Sequence, residues 1–351
     1  MKGMNLFILA LCGIPLFLCG CAPDTSVDDS TVRPIGFSSA VLSSEEPHTR
    51  GEVLTDIDKM YVFASFTGAA DWTPATHSFN FFYDQLVEKK EGAWTYSPTK
   101  YWPANGTDKL SFFAYAPAGA KTLLTVSAVN VANPIISYTL PVKESEKQDF
   151  LVASELNRTN VSSPVAFTMR HALTQVKIMA KNVDTESTDV SVSALSLAMP
   201  GSGKLSFAAA GGGNPFSWDF TNASAATITA DVTVNGTETV PATKTVSLGN
   251  SGAAAQSIAS FFLLPVGDPS PVVLTVTYTI TKSAGSAAGG TTVTMRKVAP
   301  IPATTSWTPS VTVLYTVHIS DDRLLITMDG VTVGDFTDSP TGLPDGDISA
   351  T

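Results

Sequence analysis

"VVLTVTYTI", residues 272–280, alternates without a break: Val272, Leu274, Val276, Tyr278 and Ile280 share one face, and Val273, Thr275, Thr277 and Thr279 take the other. Successive side chains of a strand point to opposite sides, so this period of two in β-branched residues predicts a strand buried on one face. "SVTVLYTVHI", residues 310–319, repeats the pattern with Val311, Val313, Tyr315, Val317 and Ile319 inward. "ATITADVTVNGT", residues 226–237, aligns Ile228, Ala230, Val232 and Val234 and closes on Asn235-Gly236, a tight-turn pair. "LLITMDGVTVGDF", residues 324–336, places Asp329-Gly330 in the same role.

Two segments, "MYVFASF" from Met60 and "LSFFAYAP" from Leu110, are apolar on both faces and read as central strands covered above and below. Almost nothing reads as helix, and Gly- and Pro-rich turns separate many short strands. The fold class is therefore all-β, built of β-sandwiches. No fixed short repeat marks a solenoid. The polar stretch "ELNRTNVSSP", residues 155–164, precedes a half richer in Thr, Ala and Gly, so a boundary is expected near residue 165.

The first residues belong to targeting. "MKGMNLFILALCGIPLFLCGCAPDT" has one lysine and then an apolar run from Leu6 to Leu18, too short to span a bilayer and placed like a secretory signal. Its end, Leu18-Cys19-Gly20-Cys21, resembles a bacterial lipobox, which implies acylation of Cys21. Cys12, Cys19 and Cys21 are the only cysteines. The exported body thus has no disulfide, and its stability rests on apolar burial. The remaining chain is long enough for two domains with cores of their own. A net charge of −10 offers no basic stripe for phosphates and excludes nucleic acid as partner.

Sites of chemistry are not evident. "PGSGKLS", residues 200–206, fails as a phosphate loop: Ala198 stands where the first glycine is needed, and Leu205 replaces the magnesium-holding Ser or Thr. It reads as a hairpin turn. The four histidines, His48, His77, His171 and His318, have no metal-ligand spacing. No G-x-S-x-G or resolvable carboxylate pair occurs, so no catalytic residue, metal or cofactor is expected. Trp72, Trp94, Tyr96, Tyr101 and Trp102 admit two readings, a platform for sugar rings or packing across a sheet edge.

"RPIGFSSAVL", residues 33–42, puts Ile35, Phe37 and Val41 on one face of a short strand. The polar "SSEEPHTRGE" that follows contains Pro47 and Arg50-Gly51 and reads as an exposed loop, where proteolysis concentrates. Arg158 is a comparable point for a nick.

Several motifs together resemble the fimbrillin family of gut and oral Gram-negative bacteria, lipoprotein precursors of type V pili and their accessory or tip subunits. They are the lipobox at Cys21, "TRG" at Thr49–Gly51, "KYWP" at Lys100–Pro103, "LSFFAYAP" at Leu110–Pro117, "QDFLVA" at Gln148–Ala153 and "RHALTQVKI" at Arg170–Ile178. The resemblance implies two transthyretin-like β-sandwich domains in tandem. The expected division is a signal peptide over 1–21, a precursor segment with the first strand over 22–50, and domains over 51–165 and 166–351. It also implies an outer-membrane lipoprotein cut by an arginine-specific protease between Arg50 and Gly51. Loss of the precursor strand (Ile35, Phe37, Val41) then opens a groove for a strand of another fimbrial subunit. The candidate donor strand is Leu324, Ile326, Met328, Val331 and Val333; if it is no donor, the chain is a tip or accessory subunit. A competing reading is a permanently lipid-anchored protein that binds a glycan or a host or bacterial surface ligand and never polymerises.

Overall fold

The computed structural model describes residues 33–41, 54, 56–161, 164–210, 215–230, 245–285, 290–303, 306–321 and 323–333, the last without the side chains of 328–333. Among them the chain is all-β, with two short 3-10 turns at Ala118–Leu123 and Glu144–Glu146. The first half carries β1 (Phe37–Val41), β2 (Lys59–Gly68), β3 (Phe82–Lys90), β4 (Ala93–Thr95), β5 (Lys109–Ala116), β6 (Leu124–Val126), β7 (Ile135–Thr139), β8 (Leu151–Arg158) and β9 (Val165–His171). The second carries β10 (Thr174–Asn182), β11 (Ser187–Pro200), β12 (Ser202–Phe207), β13 (Phe216–Asp219), β14 (Ala225–Thr229) and β15 (Val246–Ser247). It continues with β16 (Gln256–Leu263), β17 (Val273–Lys282), β18 (Thr292–Pro300), β19 (Val311–Ile319) and β20 (Leu324–Val333).

Seven strands of the first half form one sheet in the order β1-β9-β8-β5-β2-β3-β4. The doubly apolar strands β2 and β5 lie side by side near its middle, where both faces are covered, as their sequence requires. On one face Val62, Ala64, Phe82, Phe112 and Ala114 join Ile35, Phe37 and Phe167 in a core of their own. On the other, Phe63, Phe113 and Tyr115 belong to a larger core that runs on into the second half. The residue-165 boundary falls just before β9, and β9 pairs with β1 and β8 in this sheet.

The second half is a sandwich of the sheets β16-β10-β19-β20 and β14-β11-β17-β18, with β15 beside β11. The alternating residues read from the sequence fill it: Leu274, Val276, Tyr278 and Ile280 face Val313, Tyr315, Val317 and Ile319 in one apolar cluster. Tyr278 also donates its hydroxyl to Ser320 O across the sandwich at 2.8 Å. Lys282, next in the same inward phase, is buried and forms an ion pair with Asp184 at 2.5 Å and a second with Asp321 at 3.0 Å. A fourth sheet, β13-β12-β7-β6, takes β7 from the first half and β12 from the second. It stitches the halves, with the Phe113 and Phe207 rings 4.7 Å apart.

Two turn assignments need correction. "PGSGKLS" is no hairpin: β11 ends at Pro200, and the chain crosses at Gly201 into β12, which pairs with β7 and β13 instead. Both glycines are demanded by close approach. A Cβ on Gly201 would lie 2.5 Å from that of Ala226, and one on Gly203 would lie 2.8 Å from the Phe220 ring. Nor does Asp329-Gly330 turn the chain. β20 runs through it along β19, and the register shifts there, with Leu314 opposite Gly330 and Tyr315 opposite Met328. The extra residue is absorbed as a bulge. Ile228 of the third alternating segment is buried, whereas Val232, Val234 and Asn235-Gly236 lie outside the described residues.

Candidate functional site: the cleft filled by the first strand

Of the residues read from the sequence as a first strand, 37–41 form β1, Ile35 lies just before it, and Leu42 is outside the described residues. Ile35 and Phe37 are buried and Val41 is half-buried against the same core. β1 runs parallel to β9, from Phe37 opposite Val165 to Val41 opposite Met169. β9 alternates with Val165, Phe167, Met169 and His171 buried, so its inward face meets that of β1.

The other side of the entering chain is pinned by the segment after β4. Ile35 N donates to Lys100 O at 2.9 Å and Trp102 N donates to Arg33 O at 2.9 Å, around a bridge between Pro34 and Tyr101. The Tyr96 hydroxyl lies 2.8 Å from Ile35 O and 3.2 Å from Lys100 O. The first strand therefore links the two ends of the seven-stranded sheet.

Phe37 sits among four rings. Its centroid is 5.9 Å from Phe82, 5.4 Å from Tyr96, 6.0 Å from Phe112 and 5.9 Å from Phe167, edge-on to the first three and stacked on the last. Burying Ile35 and Phe37 contributes about 5 kcal/mol at the usual worth of such side chains, before ring–ring terms. Without β1 those rings and one edge of β9 would meet water, and an open strand edge is a template for another chain.

The wall is itself low in polarity. Lys100 lies over the Phe81 and Phe82 rings, 5.0 and 4.8 Å from their centroids, and donates to Phe81 O. Burial pushes its amine below the ordinary lysine value. Burial likewise pushes the Tyr96 hydroxyl up, against the lowering effect of the Lys100 backbone N–H that donates to its oxygen, so it stays a neutral donor.

The other sequence candidates fall out as follows. Cys21, Arg50, Gly51 and His48 lie outside the described residues. Just beyond Gly51 the chain is fastened again: Leu54 N donates to Asp149 Oδ2 at 3.0 Å, and Asp149 pairs with buried His171 at 2.9 Å. Arg158 ends β8 opposite Leu110 and pairs with Glu155 at 3.6 Å, so it is no exposed loop arginine. Of the aromatic group, Trp72 and Trp102 are core residues, Trp94 and Tyr96 are half-buried against the β1 core, and Tyr101 is exposed. They pack rather than form a flat platform. Of the candidate donor residues, Ile326 is buried and Leu324 half-buried, while the side chains of Met328, Val331 and Val333 are outside the described set. Among the described residues no cluster of three or more metal-ligating groups occurs, and no helix is long and apolar enough to cross a membrane.

The sequence reading did not place Phe82, Phe112, Phe167 and Tyr96 around one point. The alternation of β9 puts Phe167 inward, and Phe112 lies in a doubly buried strand, but their convergence depends on the sheet order.

Residues 49–335 match the family model described as fimbrillin-like. A curated relative, fimbrium subunit Fim1C of Phocaeicola vulgatus, is 27% identical over 215 residues, which are 54% of this chain and 55% of that protein. The match thus spans about half of the relative's length. The crystal structure of a fimbrial protein from Bacteroides vulgatus superposes with a TM-score of 0.63 at 19% identity, covering 86% of this chain and 99% of that one. That likeness is one of fold.

Proposed function

Because the chain belongs to the fimbrillin-like family, we propose that it is a structural, accessory or tip subunit of a surface fimbria and that β1 is a temporary strand. It travels as a lipoprotein acylated at Cys21 to the outer membrane. An arginine-specific protease cuts between Arg50 and Gly51, the segment ending at Arg50 leaves with its lipid, and β1 leaves with it. A strand of another subunit then fills the cleft beside β9, with backbone pairing giving affinity and the pockets for alternate side chains giving specificity. Two β-sandwich units, with β9 counted in the first, carry the assembly. β20 is the candidate donor for the next subunit.

The observation that supports this reading is the seat of β1. A five-residue edge strand, FSSAV, is joined to the body through the segment containing Arg50, yet its one ring fills the centre of a core. Limited tryptic digestion of the full chain produced without lipid, followed by N-terminal sequencing and sizing, tests it. Selective cutting after Arg50, release of the first segment and formation of oligomers are expected. A resistant Arg50, or a cut chain that keeps β1 and stays monomeric, would overturn the proposal.

A further inference from the structure

Given that reading of the cleft, we infer that it selects its incoming strand by one feature, an aliphatic residue followed two positions later by an aromatic ring. We infer further that the strand comes from a different chain rather than from a copy of this one. The register of any occupant is set on both sides. Val165 N donates to Gly36 O at 2.8 Å, and Lys100 O and the Tyr96 hydroxyl hold the backbone of Ile35. With the backbone so fixed, positions 35 and 37 alone face deep pockets, since Ile35 and Phe37 are the fully buried residues of the segment. Ser38, Ser39 and Val41 are half-buried and Ala40 is exposed, so these positions tolerate wide choice.

The pocket at position 37 is built for a ring. Three edge-on neighbours and one stacked neighbour surround it at 5.4–6.0 Å, the spacing that aromatic pairs favour. An aliphatic occupant would leave part of that volume empty, and an unfilled apolar cavity is a direct loss. The chain's own candidate donor, Leu324–Val333, contains no aromatic residue. Phe336 follows, but Gly334 stands two positions before it, so the aliphatic partner is missing. The candidate donor strand of a second copy therefore lacks the pair of side chains that the cleft fits.

The probes are fluorescent peptides, each with two added lysines for solubility, offered to the full chain after cutting at Arg50 and release of the first segment. Anisotropy reads binding. The parent peptide PIGFSSAV, residues 34–41, is expected to bind, and the form carrying Phe37→Ala to bind about a hundredfold more weakly. The Ala40→Ser form should stay within about threefold of the parent, as expected for an exposed site. The peptide LLITMDGVTVGDF, residues 324–336, should not displace the parent. Equal binding by the parent and Phe37→Ala forms, or displacement by residues 324–336 at parent affinity, overturns this inference while leaving strand exchange standing. Failure of every peptide, the parent included, overturns the proposed function and this inference with it.

Discussion

β1 and β20 each lie at the edge of a sheet, one near each end of the described chain, and each is laddered to one strand, yet different forces hold them. β20 has the long antiparallel ladder, from Leu324 to Val333 along β19, but Leu325 beside its buried Ile326 is 49% exposed. β1 has only a short parallel ladder, with backbone bonds to Lys100 and Trp102 just before it, and its deeply buried side chains are Ile35 and Phe37, the latter within four rings. β20 has a second anchor where it begins. Lys282 reaches Asp321 in the turn before it, and Asp321 N donates to Asp184 at 3.3 Å. A strand held by backbone accepts many substitutes, whereas one held by a single ring is specific about what replaces it.

The largest expected effect is at Phe37. Replacing it by Asp removes the ring and buries a carboxylate among apolar neighbours, so a loss of at least about 4 kcal/mol is expected. Urea denaturation followed by tryptophan fluorescence measures it, and Trp102 within that core is one reporter. The variant should also self-associate before any proteolysis, seen by size-exclusion chromatography. Parent-like stability and a monomer would mean that β1 is not part of the core. Next is Lys282→Met, which leaves Asp184 and Asp321 without their cation. Breaking a buried pair from one side costs about 3 kcal/mol. The same titration checks it; a change below about 1 kcal/mol, the usual worth of a surface pair, would show that the cluster does not anchor the β19–β20 turn.

These effects divide along what the sequence made legible. Period-two alternation names one face of a strand without knowledge of any partner, so Ile35, Phe37 and the filling of the β17 and β19 sandwich could be read directly. The phase of β17 also carried a signal left unused, since Lys282 follows Tyr278 and Ile280 on the inward face and a lysine there demands buried partners. What could not be read depends on which strands meet. The pairing of β7 with β12 across the halves, the place of β9 beside β1 and the four rings around Phe37 are set by sheet order, which alternation does not encode. Asp329-Gly330 shows the limit locally, because the same dipeptide that closes a hairpin also serves as a bulge when the ladder continues past it.

A smaller effect is expected within β20 itself. Ile326→Ala should cost about 2 kcal/mol, the low end for a large aliphatic residue, because an edge strand relaxes into part of the cavity. This lies below the cost at Phe37, and the order should hold in one denaturation series. If Ile326→Ala costs more than Phe37→Asp, the contrast between a strand held by its backbone and one held by a ring fails.

Acid should separate the two strands by the smallest and most local effect. Burial opposes ionisation of Asp184, but Lys282 and the amides of Glu186 and Asp321 outweigh it and hold the carboxyl below its ordinary 3.8. Burial also lowers Lys282, yet Asp184 and Asp321 together raise it above 10.5. A depressed carboxylate gives stability that is complete above its unfolded value and is lost as pH falls through its folded one; a raised lysine loses its share only in alkali. The anchor of β20 is thus whole between about pH 4 and 10, and it weakens in acid as Asp184 is protonated and in alkali as Lys282 loses its charge. The rings around Phe37 carry no carboxylate, so nothing comparable acts there. Urea midpoints at pH 6 and pH 3 for the parent, Asp184→Asn and Phe37→Ala give the test. The gap between parent and Asp184→Asn should narrow at pH 3, because acid removes from the parent what the substitution has already removed. The gap between parent and Phe37→Ala should not change. A parent-to-Asp184→Asn gap that is the same at both pH values would mean that the carboxylate's charge does not hold the turn, and β20 would then differ from β1 in its ladder alone.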